Sequence, residues 1–404
     1  MSVFTLSEVV FLPAPDYLVN GVAQVGYYSP TSETTVQVQT VSTEVVPAKV
    51  PTSGILDLSC VPGNNVIVLN GALTLGATIA LPAAFTGNLI VGSAADGIVL
   101  FETFRSPYQP DLTTPLSLTG GDGTYSVVIG DRPTTLTITQ SAPASRAVMT
   151  LGNGANHLTV TGRGESLLTT GTGDDTLLQR GGTVHASLGA GNNLHIYAGG
   201  ANAEAWVTGN DTIFASTGTD TIAVGETGHA MIHGGGTTLR FLGGTGASTV
   251  LGGWGDSSDS GGGNDTLVAS WQGSTAANYL QAGWGNTTLT AGTGTTTFGT
   301  GLGNAIVQGG AGNDIFWAQS GNATMAGGGG VNQYVFSSAA MTGSGTFVIG
   351  DFIAGRDSIE LRGYPPASIS TAKTEQGSVI VLNDGTRIIL NLAPFVPLDS
   401  LHFT

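Results

Sequence analysis

Residues 282–335 read AGWGNTTLT AGTGTTTFG TGLGNAIVQ GGAGNDIFW AQSGNATMA GGGGVNQYV, which is six units of nine residues without a gap. The fourth unit, Gly309–Trp317, fits the pattern GGxGxDxUx at every specified place, where U is a large apolar residue. Glycine at the second and fourth places permits turns in which a Cβ would clash. The apolar eighth place suits a short strand. A repeat of nine residues cannot bury its own apolar face, so the pattern predicts a solenoid of stacked repeats.

These units resemble the calcium-binding nonapeptide repeats of the RTX family. A second resemblance covers Thr346–Leu361, where an apolar strand, Asp351-Phe352, a glycine turn and Asp357-x-Ile-x-Leu follow one another. This order is similar to the segment that closes the roll in serralysin-type RTX proteins. The resemblance implies an all-β fold, a parallel β-roll or β-solenoid with a C-terminal β cap. Two units would form one coil of eighteen residues, and coils would stack at about 4.8 Å.

The sequence predicts three regions. Residues 1–117 lack the nonapeptide register but alternate apolar runs with Gly, Pro and Asn clusters, which predicts a β-rich N-terminal region that acts either as a cap or in assembly and binding. Residues 118–335 carry the RTX-like repeats. Residues 336–404 form the predicted C-terminal cap, with a hairpin turn at Asn383–Gly385.

Composition narrows the classes of partner. The chain of 404 residues has 27 acidic and 11 basic residues, a net charge of −16, and only 9 % charged residues. Such a chain has no basic cluster for nucleic acid or an anionic membrane surface. No stretch is long and apolar enough to span a bilayer. The single cysteine, Cys60, excludes an internal disulfide.

Candidate calcium ligands follow from the resemblance, because Ca²⁺ in such rolls lies between turns and is held by sixth-place carboxylates and turn carbonyls. Many sixth places in this chain hold Asn, Thr or Ala, so we expect few and weak Ca²⁺ sites. The alternative for each residue is a turn that its own side chain stabilises without metal. The candidates are Asp175, Asp211, Asp220, Asp256, Asp259, Asp265, Asp314, Asp351 and Asp357.

We expect no enzymatic activity from the sequence. His229 and His233 have the spacing of a zinc motif, but Met231 stands between them where a metalloprotease has its glutamate, and the setting predicts a strand. No Gly-x-Ser-x-Gly motif is present. The carboxylate pairs Asp174–Asp175 and Asp256/Asp259 are the only candidates for a carbohydrate-active site.

The resemblance implies an extracellular or cell-surface protein, exported by a type I system that reads a C-terminal signal such as Pro397–Thr404, without a cleaved N-terminal signal. We expect a structural protein that associates with itself, in a surface layer, a fibre or a biofilm matrix. The alternative is a calcium-dependent adhesin for surface glycans, with Trp254, Trp271 and Trp284 near a protruding loop at residues 252–271. Ice binding is the remaining alternative, and its threonine ladder is interrupted.

Overall fold

The computed structural model shows an all-β parallel solenoid. It describes the backbone of the strands within residues 1–129, and residue 127 in full. It also describes residues 133–404 apart from 216, 237, 256, 270–274, 341–343, 376, 392–395, 397–400 and the side chains of 257–259. The chain divides into two compact units, Met1–Ala205 and Trp206–Thr404. Among the described residues, no helix has the length and hydropathy of a membrane span.

In the first unit, two parallel sheets alternate along the chain, so that every strand of one sheet is followed by a strand of the other. Strands of its first sheet are Gly54–Asp57, Ala77–Leu81, Ile98–Glu102, Thr124–Ile129, Arg146–Leu151, Glu165–Thr169, Thr183–Leu188 and Asn202–Val207, the last at the unit boundary. Strands of its second sheet are Val66–Leu69, Asn88–Val91, Leu116–Gly120, Thr134–Gln140, His157–Gly162, Thr176–Arg180 and Leu194–Ala198. Before them come Phe4–Thr5, Leu18–Val19, Val22–Ala23, Glu33–Gln39 and Val45–Pro51.

The second unit has the same alternation. Strands of its first sheet are Thr219–Val224, Thr238–Leu242, Ser257–Ser260, Asn278–Gln281, Thr296–Gly299, Ile315–Ala318, Gln333–Ser337, Ser358–Arg362 and His402–Phe403. Strands of its second sheet are Asn210–Phe214, His229–His233, Thr249–Leu251, Thr266–Val268, Asn286–Thr290, Asn304–Gln308, Asn322–Ala326 and Thr346–Ile349. After these come a 3₁₀ turn at Pro366–Ser368 and the strands Ser370–Thr374, Gly377–Val381 and Arg387–Asn391.

The coil length agrees with the repeat. Asn286, Asn304 and Asn322 pair in register, at intervals of 18 residues. Elsewhere a coil is longer, as where Asn264 and Asn286 lie 22 residues apart in neighbouring turns. The strands of this longer coil still pair in register, with Thr266 beside Thr288, so that their apolar side chains stack.

The core consists of stacked rows of inward-facing side chains. Burial alternates along each strand, as the period of two requires. In the second unit, the rings of Phe298, Phe316 and Tyr334 stack with centroids 4.9 and 4.7 Å apart. These distances match the strand spacing, because each ring stands one coil beyond the last.

The C-terminal region contains the hairpin that the sequence predicts at Asn383–Gly385. Gly377–Val381 and Arg387–Asn391 pair antiparallel, with Gly385 in the left-handed region at φ 88°. Arg387–Asn391 also pairs in parallel with Thr346–Ile349. The change from parallel to antiparallel pairing covers the last strand of the second sheet.

Glycine at the second place of the repeat is required by the distance between coils. A Cβ on Gly310 would lie 1.5 Å from the carbonyl oxygen of Gly292 in the preceding coil. A Cβ on Gly350 would meet only the carbonyl oxygen of Met325, at 3.7 Å.

We therefore expect Gly310→Ala to lower the free energy of unfolding by about 2–4 kcal/mol, because the coils must separate or the turn must rearrange. Gly350→Ala is the matched control and should leave the thermal midpoint almost unchanged. Circular dichroism melting of the two variants measures this difference. Equal midpoints would contradict the close approach of the coils.

Candidate functional site: the turns between the sheets

The predicted calcium ligands other than Asp256 and Asp259 occupy the turns where the chain passes from one sheet to the other, or the first positions of the following strand. Within each unit, the turns from the first sheet to the second form one edge, and the return turns form the other. The side chains of Asp175, Asp211, Asp220, Asp265 and Asp314 are all buried in these positions. A buried carboxylate requires hydrogen-bond donors or a cation, so its partners decide what it can do.

In the second unit, the return turns carry a ladder of side-chain to backbone hydrogen bonds. Asp314 Oδ1 accepts the backbone N–H of Thr296 at 2.8 Å, and Asn332 Oδ1 accepts the N–H of Asp314 at 3.0 Å. Asp357 Oδ1 then accepts the N–H of Asn332 at 3.1 Å. Each side chain therefore accepts a backbone N–H group of the preceding coil, at the same place in the nine-residue repeat.

The other edge has the same ladder in both units. In the first unit, Asp175 Oδ1 accepts the N–H of Asn156 at 2.9 Å, and Asn193 Oδ1 accepts the N–H of Asp175 at 2.9 Å. In the second unit, Asp265 Oδ1 accepts the N–H of Ser248 at 2.7 Å. A buried N–H without an acceptor costs about 1–3 kcal/mol, so each rung contributes to the stacking of two coils.

The second polar atom of each side chain explains why some rungs are Asp and others Asn. Asp314 Oδ2 accepts the N–H of Gly310 at 3.0 Å, whereas Asn193 Nδ2 donates to the carbonyl of Gly189 at 2.9 Å. Except at Asp175, an Asp rung thus faces a turn peptide that points its N–H inward, and an Asn rung faces one that points its carbonyl inward. The same division holds at Asp265, Asp357, Asn156 and Asn332.

The cap segment supplies the last acceptors. Asp351 accepts the N–H groups of Gly327 and Gly328, one with each oxygen and both at 2.7 Å. Asp357 also pairs with Arg356, with Nη2 and Oδ2 2.9 Å apart. Both of these carboxylates therefore already have donors in the turns that they close.

Burial raises the pKa of Asp175, Asp265 and Asp314 above the usual value of an aspartate. The hydrogen bonds that these carboxylates accept lower the pKa, but they do not cancel the effect of burial. The ionised form is thus less favourable in these turns than in water.

Among the described residues, the turn at Asp175 has acceptor atoms to spare for a cation. Asp175 Oδ2 and Asn156 Oδ1 are buried and accept no hydrogen bond. The hydroxyl of Thr170 is near enough to lower the pKa of Asp175, but it does not hydrogen-bond to Oδ2. Two free oxygens are hard ligands of the kind that Ca²⁺ prefers, but the ion takes about six to eight, so the residues present supply only part of a Ca²⁺ site at the Asp175 turn.

At Asp265, Asp314, Asp351 and Asp357 the donor set fits Ca²⁺ poorly, because both carboxylate oxygens face backbone N–H groups. Asp256 and the side chain of Asp259 lie outside the described residues. Within the described part of the chain, no group of three or more His, Cys, Asp or Glu side chains is arranged to hold a metal ion.

The tryptophans that suggested a glycan-binding patch are separated. Trp254 lies in a return turn, and Trp284 lies in a turn of the opposite edge, so these two do not share a surface. Trp271 lies outside the described residues. The predicted protruding loop at 252–271 is wrong for Ser257–Ser260 and Thr266–Val268, which are strands within the sheets.

The other candidates for chemistry also have structural positions. Asp174 Oδ1 accepts the N–H of Asn192 at 2.8 Å, so it forms a rung of its own on the exposed side of the turn. His229 and His233 lie on a strand, as predicted, and the ring of His233 stacks on Phe214 with centroids 4.9 Å apart. Sequence reasoning missed Ser248 as a rung, although its position one coil before Asp265 points to it: Ser248 Oγ accepts the N–H of Ala230 at 3.3 Å.

The pKa shifts predict an unusual dependence of stability on pH. Because the pKa of Asp314 is raised in the folded state, its contribution is complete below the unfolded pKa of about 4 and is lost as pH rises through the folded pKa. The pKa of Asp384 shifts in the opposite direction. Burial raises this pKa, but hydrogen bonds from Tyr364 and Thr386 outweigh burial and lower it.

We expect the thermal midpoint to rise between about pH 7 and about pH 4.5, and Asp314→Asn to reduce that rise. Asp384→Asn should leave the rise almost unchanged, because the lowered pKa of Asp384 places its titration below this range. Both variants remove one negative charge, so their effects on net charge are equal. Thermal melting across this range in EDTA measures the slopes. Identical slopes would show that burial of Asp314 does not govern its ionisation.

Comparison with protein-family models gives no match for this chain. No curated protein matches it either.

Proposed function

We propose that this chain is a non-enzymatic structural protein of the RTX type that assembles with copies of itself outside the cell. The observation that carries the proposal is the use of its acidic side chains. Asp265, Asp314, Asp351 and Asp357 each bind two backbone N–H groups, so these carboxylates hold turns together and have no oxygen directed at a substrate. A chain whose carboxylates bond to its own turns is suited to a structural role.

Calcium enters the proposal as a partial stabiliser. The Asp175 turn offers two buried oxygens without donors, and a bound Ca²⁺ would neutralise the carboxylate there. The hydrogen-bonded rungs at the other turns give the roll a means of stacking without the ion. The stability of the roll therefore depends on calcium mainly at the Asp175 turn.

Location and partners complete the proposal. Export by a type I system rests on the resemblance of the repeats and of the tail Pro397–Thr404 to RTX proteins. The partner is a second copy of the chain, on a cell surface or in an extracellular matrix.

A calcium-dependent adhesin for surface glycans is the second candidate. The observation that favours it is the exposure of single aromatic side chains in turns, since Trp284 is 77 % exposed and Trp254 is 60 % exposed. Tryptophan is a good stacking surface for sugars, but each of these two rings would act alone.

The proposal predicts that purified protein assembles in Ca²⁺ and keeps most of its β-structure in EDTA. Light scattering and electron microscopy measure assembly, and far-UV circular dichroism measures strand content. Asp175→Asn should reduce the calorimetric signal for Ca²⁺ binding, whereas Asp314→Asn should leave it almost unchanged.

A strictly monomeric protein at high concentration with Ca²⁺ present would contradict self-assembly and favour the adhesin. Complete unfolding in EDTA would show that calcium holds many turns. An equal loss of Ca²⁺ binding in both variants would show that the Asp175 turn is not special.

A further inference from the structure

The outer face of the second sheet in the second unit carries no charged residue of the Asp, Glu, Lys or Arg type. It is formed by the outward-facing side chains of eight consecutive strands, from Asn210–Phe214 to Thr346–Ile349, and we call it the uncharged face. Asp211 lies on the first of these strands, but its side chain is buried inside. The outer face of the first sheet differs, since it carries Arg240, Glu360 and Arg362.

The middle row of the uncharged face combines hydroxyl and apolar side chains. Strand pairing places its members side by side, in the order Thr212, Met231, Thr249, Thr266, Thr288, Ile306, Thr324 and Val348. Ile306 is 61 % exposed although it is a large apolar residue. Met231, Ile306 and Val348 are separated by threonines in this row, so the row presents both apolar and hydroxyl groups to a contacting surface.

A row of amides along one side of the face is held in a fixed orientation. Asn304 Nδ2 donates to Asn286 Oδ1 at 2.9 Å, and Asn322 Nδ2 donates to Asn304 Oδ1 at 3.2 Å. Asn322 Oδ1 accepts the backbone N–H of Thr346 at 3.0 Å. Each amide of this ladder keeps hydrogen-bonding capacity toward solvent, and a shallow groove of about 370 Å³ lies along it.

We propose that the uncharged face is where two copies of this chain meet, with a two-fold axis that lies in the plane of the contact, parallel to the sheet. The proposal rests on the self-assembly proposed above and names its surface. A net charge of −16 makes two copies repel, and close approach is least opposed where neither copy presents a carboxylate. A two-fold contact brings the same face of both copies together, so an uncharged face that bonds through amides and hydroxyls is complementary to itself.

The size of the face suits weak association. Its eight strands have three to five residues each, and at about 4.8 Å between strands and about 3.3 Å per residue they cover roughly 550 Å² before side-chain relief is counted. A standard interface buries about 800 Å² on each partner. The face therefore accounts for about two thirds of a standard interface, in the range of weak or transient contacts.

Opposite charges introduced at Ile306 test the proposal. In a two-fold contact, Ile306→Asp and Ile306→Lys each desolvate a charge in an uncharged surface, so both should weaken association at least about tenfold. Leu242 provides matched controls, because it is exposed on the first sheet of the same unit. Leu242→Asp and Leu242→Lys should associate like the unchanged chain. Sedimentation equilibrium of the full chain in Ca²⁺ measures association, and circular dichroism confirms the fold of every variant.

The outcomes distinguish a failure of this inference from a failure of the proposed self-assembly. If the unchanged chain assembles and neither Ile306 variant weakens assembly, the inference is wrong while self-assembly stands. If Asp weakens and Lys strengthens assembly at both positions, total charge governs association and the inference is also wrong. If the Ile306 variants assemble normally but lose binding to an immobilised polysaccharide, the face binds glycans instead. A monomeric unchanged chain would overturn both the inference and self-assembly.

Discussion

A backbone N–H buried in a turn between two stacked coils must find an acceptor, and this requirement shapes the whole solenoid. Inside the strands, parallel pairing satisfies the backbone at every coil. In the turns, the chain bends away from that pairing, while the coils above and below exclude water. The sixth-place side chain of the next coil supplies the missing acceptor, as Asp314 does for Thr296.

This arrangement gives the ladder a direction. Each turn depends on the coil that follows it in the chain, so the last turn of the repeat region needs an acceptor from outside the repeats. Asp351 and Asp357 meet that need for Gly327 and Asn332, and they come from the cap segment. The cap therefore completes the hydrogen bonding of the roll as well as covering the last strand.

Much of the fold could be predicted from the sequence, because the features that set it are local. The nine-residue period, the glycines and the apolar eighth place led to coils of eighteen residues, and the Asn286–Asn304–Asn322 register confirms them. The hairpin at Asn383–Gly385 is also as predicted, since its turn residues act on their own neighbours.

The partners of the sixth-place carboxylates could not be predicted, because they depend on the orientation of single turn peptides. Gly310 points its N–H at Asp314, while Gly189 points its carbonyl at Asn193, and glycine permits either orientation. The position of a tryptophan on one edge or the other also depends on where a longer coil places its extra residues. Trp254 and Trp284 are close in sequence and yet lie on opposite edges.

The placement of charged side chains links the turns to the surface. Buried carboxylates carry part of the negative charge of the chain inside the roll, where backbone dipoles offset it. The outer face of one sheet is left with hydroxyl, amide and aliphatic groups. A roll built in this way has hydrogen-bonded turns and, in the second unit, one sheet face without Asp, Glu, Lys or Arg, as the proposed contact between copies requires.

Amide hydrogen exchange at the turns tests the central claim most directly. The backbone N–H groups of Thr296, Asp314 and Asn332 are bonded to the side chains of the next coil, so in EDTA they should exchange as slowly as the amides of the adjoining strands. If these three amides exchange rapidly in EDTA and slow down only when Ca²⁺ is added, the turns are held by the metal and the ladder does not stack the coils.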